Sequence, residues 1–229
     1  MNFSEFQDLM NVSRQDICRE VFDQNRQTIR VKKEKTVIKN LDKIFVATLK
    51  ISNKKGFHNM SMRDLSLETG LSLGALYAYF ASKDELLEIV QQQGRTITGK
   101  ILEQKIEKET GPYAKLRSFV RTYLYLCETM HSWFYFSYME ARNLTKTERE
   151  KALNSELYVE ETLSDILKQG EKEGIFRSCN HRLASGAINA MIQDWYLKRW
   201  KHTKLNISVD DYAKFLLEFI EASYVMVKH

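Results

Sequence analysis

Proline occurs once in the 229 residues, at Pro112, and glycine only nine times. A chain so poor in helix-breaking residues, and without alternating Val/Ile/Thr runs bounded by turn residues, excludes a sheet-rich fold and predicts an all-α protein. The three cysteines, Cys18, Cys127 and Cys179, are odd in number and far apart. That excludes a disulfide framework and a cysteine-based zinc motif. His58, His131, His181, His202 and His229 show no ligand spacing, so neither a metal nor a cofactor is expected. The densest apolar stretch, Trp133 to Met139, is broken by Ser137 and falls far short of the ~20 residues that span a bilayer. The opening Met1-Asn-Phe-Ser-Glu-Phe lacks the basic-then-apolar order of a secretory signal. The expected location is the cytoplasm, with no membrane partner.

What the chain does have is an uneven charge. Nine basic side chains lie between Arg30 and Lys55, Lys32 among them, against only Glu34 and Asp42. Residues 139 to 175 instead carry nine acids and six bases. A polyanion is therefore drawn to the N-terminal third.

Beside the basic stretch lie two short helical segments, Ser61-Met-Arg-Asp-Leu-Ser-Leu-Glu-Thr-Gly70 and Leu71-Ser-Leu-Gly-Ala-Leu-Tyr-Ala-Tyr-Phe80. Ser61 with Asp64 makes a helix start, and Gly70 suits a left-handed turn, so the layout is that of a helix-turn-helix DNA reader. Ser82 and Glu85 open the next helix with a capping box. Gly74, Ala75 and Ala78 keep the reading helix, about Ser72 to Tyr79, slim enough for the ~12 Å major groove.

Ser61-Met-Arg-Asp, Gly70-Leu-Ser, Gly74, Leu76-Tyr77, Tyr79-Phe80 and Ser82-Lys83-Asp-Glu-Leu86 together resemble the DNA-binding signature of the TetR/AcrR regulators over about residues 40 to 90. The resemblance implies a ligand-responsive, homodimeric DNA-binding regulator, most often a repressor that a small-molecule inducer releases from a double-stranded DNA operator. It implies that Ser72, Leu73 and Ala75 lie near bases, that Tyr77 and Tyr79 reach the sugar-phosphate backbone, and that Ser61 and Lys83 hold phosphates. Leu73 departs from the polar or basic residue common there, which leaves readout to thymine methyls, DNA shape or an arginine such as Arg63.

The expected organisation is an N-terminal extension over 1–32, marked by the apolar rhythm of Phe3, Phe6, Leu9, Met10, Ile17, Val21 and Phe22; a DNA-binding domain over 33–90; and a ligand-binding and dimerisation domain over 91–229. Gly94 and Gly99 are expected to let the linking helix bend. Nine aromatics between Tyr113 and Tyr138 either fill a core or line an apolar cavity. With the resemblance, Phe119, Tyr123, Cys127, Trp133, Phe136, Tyr158 and Gln193 are the pocket candidates. The run Ile192 to Trp200, with Lys201 and Lys204, resembles a subset that senses fatty acyl thioesters, although lysines at a helix end also favour the dipole. The resemblance makes Leu183, Ala187, Ala190, Met191, Tyr212, Phe215, Leu216, Phe219, Ile220 and Ser223 the dimer seam. Two other classes stay open: a DNA-bound structural or cell-organising protein without an inducer, and a thiol enzyme built on Cys127 and His131, for which no orienting group is evident. No catalytic residue is assigned.

Overall fold

The computed structural model describes residues 1–24, 26, 29–31 and 33–226, leaving out the side chains of Leu9, Asn11 to Ile17, Glu20 and Gln24. The apolar contacts expected of Leu9 and Ile17, the charge of Lys32 and the terminal His229 lie outside the described residues. The helices among them are α1 (Phe3–Gln24), α2 (Glu34–Lys55), α3 (Met62–Thr69), α4 (Leu73–Leu76), α5 (Lys83–Glu107), α6 (Pro112–Thr129), α7 (His131–Glu140), α8 (Lys146–Lys172), α9 (His181–Leu197), α10 (Arg199–Lys204) and α11 (Val209–Tyr224). The all-α expectation is met: the described residues hold no strand, only an isolated bridge between Phe176 and Val225. No described helix is long and apolar enough to cross a membrane.

The chain divides into two compact units, Ser4–Ile97 with Ser132–Arg149, and Met1–Phe3 with Thr98–His131 and Glu150–His229. Residues 132–149 thus cluster with the DNA-reading unit, although a boundary at residue 90 assigns them to the body. In that first unit, α2 turns Val37, Leu41, Ile44, Phe45 and Thr48 inward at helical spacing, and α3 and α4 answer with Leu65 and Leu76. Gly94 is a seat more than a hinge. A Cβ there would lie 1.8 Å from the Trp133 ring, whose Nε1 donates to the Val90 carbonyl at 3.0 Å. Phe136 packs edge-on against Phe57, and the buried Glu140 carboxylate accepts from the Phe57 amide at 2.9 Å. These anchors tie α7 to α5 and to the loop between α2 and α3.

In the second unit, α6 has ten buried residues and packs on α9 and α11. Lys198 separates α9 from α10. Trp195 stacks on His202 and leans on Tyr212, with ring centroids 4.7 and 5.1 Å apart.

Candidate functional site

The reader is held by side-chain hydroxyls at each bend. Ser61 Oγ accepts from the Asp64 amide at 3.1 Å, the Asp64 carboxylate accepts from the Ser61 amide at 2.7 Å, and Lys55 and Ser61 keep that carboxyl far below its ordinary range. At the turn, Gly70 sits at φ +70°, a region that costs a side-chain-bearing residue about 1 kcal/mol or more. Thr69 Oγ1 accepts from the Leu71 amide and Ser66 Oγ donates to the Leu71 carbonyl, which fixes the angle between α3 and α4. Ser72 caps α4 by accepting from the Ala75 amide at 3.2 Å.

The regular part of the reading helix is one turn, Leu73 to Leu76, shorter than the expected Ser72 to Tyr79. Its outward edge is Ser72, Leu73, Gly74 and Tyr77, with Ala75 half-buried; Leu73 is 38% and Tyr77 45% exposed. Tyr79 corrects an expectation. It is 1% exposed, and its hydroxyl bonds Asn40 of α2 at 2.8 Å, so it is a core residue and cannot meet the sugar-phosphate backbone in this conformation. Burial pushes its phenol up, which keeps it neutral. Alternate positions point to opposite sides here: Tyr77 turns out and Tyr79 turns in. Lys83 is also less free than expected. Its ammonium donates to the His58 carbonyl at 2.7 Å and lies 4.9 Å from the Phe57 ring centre, and burial pushes it down. Ser61 and Arg63 are exposed, and Arg63 has no ion pair or hydrogen bond among the described residues.

Two residues that the motif did not flag support this surface. Asn40 anchors Tyr79, and the Arg30 amide donates to the Ala78 carbonyl at 2.9 Å, which fastens the end of the N-terminal extension to the reader. The only sequence sign was the polar Asn40 within the apolar register of α2.

The pocket candidates are not brought together as a set. Phe119, Tyr123 and Cys127 are buried on α6, and burial pushes the Tyr123 phenol and Cys127 thiol well up. Trp133 and Phe136 instead fill the core of the reading unit, against Gly94 and Phe57. Tyr158 is exposed, and Gln193 donates to Glu156 at 2.8 Å. His131 Nε2 lies 3.0 Å from the Tyr196 carbonyl oxygen. The basic run after Ile192 is largely spent within the fold. Arg199 grips Glu128 through Nε and Nη2 at 2.8 and 2.9 Å, and Glu128 also accepts from the Trp195 indole at 2.9 Å. Lys198 and Lys201 pair with Asp194 at 2.8 and 2.6 Å.

Leu183, Phe215 and Phe219 are 72%, 60% and 51% exposed, and the two phenyl rings stack on the surface of α11. Ala187, Ala190 and Ser223 are exposed as well, whereas Leu216 and Ile220 are buried and Tyr212 bonds the Met191 carbonyl. Six of the ten expected seam residues therefore face out, Leu216 and Ile220 close the unit's own core, and Met191 and Tyr212 are half-buried.

Residues 44–90 match the model of bacterial regulatory proteins of the tetR family, and residues 109–221 match the tetracyclin repressor-like C-terminal domain. A curated relative, the HTH-type transcriptional regulator HbdR of Aromatoleum sp. (strain CIB), is 21% identical over 193 residues, 84% of this chain and 81% of that protein. The crystal structure of the TetR family regulator PfmR from Thermus thermophilus superposes with a TM-score of 0.72 at 25% identity, covering 80% of this chain and 98% of that one. AibR in complex with isovaleryl coenzyme A and operator DNA superposes at 0.70 with 15% identity, over 79% and 97% of the two chains, a likeness of fold. Both halves match in order on the helix-turn-helix geometry described above, so the chain belongs to the TetR family: a ligand-responsive, DNA-binding transcriptional regulator and not an enzyme.

Proposed function

We propose that this regulator is a homodimeric repressor released from its operator by an amphipathic molecule of the acyl thioester or fatty acid class. The observation that carries the DNA half is the outward edge of α4. Ser72, Leu73 and Ala75 form a slim surface for base edges, and Leu73 suits a thymine methyl better than a hydrogen-bonding base edge. The hydroxyl of Tyr77 flanks it for phosphates together with the exposed Arg63, whereas the proton of the Ser61 hydroxyl goes to the Asp64 carboxylate at 2.7 Å. Lys83 acts mainly as a brace for the start of α5, since one of its three N–H groups is committed to His58.

For the ligand, the support is the apolar interior around Phe119, Tyr123 and Cys127, together with the buried Thr122 hydroxyl on the same helix, which has no hydrogen-bond partner among the described residues. A buried, unpaired hydroxyl is costly unless something polar meets it. The acyl thioester in the AibR complex gives the class. For the dimer, the support is the exposed apolar face of Leu183, Ala187, Ala190, Phe215 and Phe219, a patch that a solitary subunit would leave in water. Two readers on one two-fold axis would address successive major grooves, and a ligand acts by preferring one of two reader spacings.

The test is fluorescence anisotropy with a labelled duplex from upstream of the protein's own gene, with and without acyl-CoAs of graded chain length. Binding that survives excess nonspecific DNA and is lost on adding one range of chain lengths is expected. Indifference to every acyl-CoA would remove the ligand class and favour a DNA-bound architectural role. A monomer by sedimentation at micromolar concentration would remove the dimer.

A further inference from the structure

Between α8 and α9, within one unit, lies a cleft of about 560 Å³ whose walls include Ser164, Lys168, Cys179, His181 and Arg182. Cys179 immediately precedes Asn180, the N-cap of α9. Its Sγ lies 3.3 Å from Nδ1 of His181, and Nε2 of the same ring meets a carboxylate oxygen of Glu171 near the end of α8. The Ser178 hydroxyl and then His181 hold the Glu171 carboxyl below its ordinary range, so at neutral pH it is ionised and can only accept. Nε2 is therefore the protonated nitrogen. Nδ1 presents a lone pair to the thiol or, once the proton has crossed, an N–H to a thiolate. Nucleophile, base and orienting carboxylate stand in line.

The alternatives are weaker. Sulfur and carboxylate address different ring nitrogens, so the three cannot share a metal ion with the imidazole, and no group of three such ligands among the described residues is placed to hold one. Burial and the Glu171 charge push the Cys179 thiol up, so any thiolate depends on the imidazole as proton acceptor and on the start of α9, with the exposed Arg182 in its first turn. Cys18 and Cys127 are 2% and 0% exposed, shut away from a dissolved oxidant. Cys179 is half-buried and opens on the cleft.

We propose that Cys179 is a peroxide-reactive thiol, with His181 as its base and Glu171 as the positioning residue. The thiol proton passes to Nδ1. The sulfur then attacks the terminal oxygen of a hydroperoxide, an S–O bond forms as the O–O bond breaks, and the departing alkoxide or hydroxide takes the proton back from the imidazolium. The thiol becomes a sulfenic acid, oxidised by two electrons, and the peroxide becomes an alcohol or water. The chemistry requires neither DNA nor an acyl ligand.

The test treats the full chain with hydrogen peroxide in the presence of a dimedone probe and quantifies peptides containing Cys18, Cys127 and Cys179 by mass spectrometry. Cys179 is expected to label about tenfold or more faster than the other two and faster than in the urea-unfolded chain. His181→Gln should slow it about a hundredfold, the low end of what a positioned base contributes, and Glu171→Gln by less. The pH–rate profile of the wild-type chain should rise at lower pH than that of the His181→Gln variant, which lacks the base. Labelling of Cys179 no faster than in urea, a wild-type pH profile that coincides with that of His181→Gln, or a folded His181→Gln variant that labels like wild type would overturn the proposal.

Discussion

Lys39, Lys43, Lys54 and Arg63 stand exposed with no ion pair among the described residues, whereas Lys198, Arg199 and Lys201 are all joined to carboxylates. In composition the two stretches look alike. The difference lies in the acids within reach. Around α2 and α3, Glu68 and Asp64 neutralise Lys50 and Lys55 and leave the rest alone. In α9 and α10, Asp194 stands one turn before Lys198 and close to Lys201, and Glu128 of α6 faces Arg199. Formal charge measures what a segment contains, and pairing decides what it can offer a phosphate. The N-terminal stretch is available to DNA, and the C-terminal one is mostly structural.

The severest challenge to this contrast is to remove Glu128. Glu128→Ala would strand the Arg199 guanidinium and the Trp195 indole, which are partly shielded from water, so a loss of about 2 kcal/mol is expected in urea unfolding. A change under about 0.5 kcal/mol would show that the cluster is loosely held and that its cations are free after all. Next in size is Tyr79→Phe, expected to cost about 1 kcal/mol by leaving Asn40 without its partner, with the salt dependence of DNA binding unchanged. Tyr77→Phe should do the reverse, weakening DNA binding while leaving the melting curve in place. The two hydroxyls thus separate a core role from a surface role two residues apart.

A smaller effect on stability is expected on the other side of the contrast. Lys43→Ala with Lys54→Ala should leave unfolding within about 0.5 kcal/mol of wild type. For every phosphate deprived of its lysine, the log–log salt dependence of DNA binding should flatten by about 0.9. An unchanged slope would mean that these lysines face away from the duplex.

Much of this was legible in the sequence because it is local. The caps at Ser61 and Ser82 announce themselves by spacing, and both hold in the structure. Gly70 takes the left-handed turn that its position suggested. What the sequence concealed is the partner across the fold. Tyr77 and Tyr79 read as equivalent until Asn40 is seen 39 positions upstream. Gly94 reads as a weak point until the Trp133 ring fills its place. The pocket candidates failed as a group for a related reason: aromatic density does not say which core a ring serves, and Trp133 and Phe136 serve the reader's.

The mildest test is acid. Burial of Asp194 raises its carboxyl, but the bonds from Lys198, Lys201 and His202 outweigh that and bring it from 3.8 to about 2. A carboxyl depressed in the fold stabilises fully above its unfolded value and loses that contribution as protons bind, so the loss should fall between pH ~4 and ~2. With Asp194 about a fifth exposed and its lysines more so, no more than about 1 kcal/mol is expected after solvent screening. His202 acts in a separate window. Burial holds its imidazole below 6.5, so its contribution is present above that value and is lost as pH falls through the lower folded one. Asp194→Asn should therefore remove the acid-limb slope and keep any loss that begins nearer pH ~6. If the variant and the wild type traced the same curve below pH ~4, the lysines beside Asp194 would not be engaged with it, and the contrast with α2 would fail at its weakest pair.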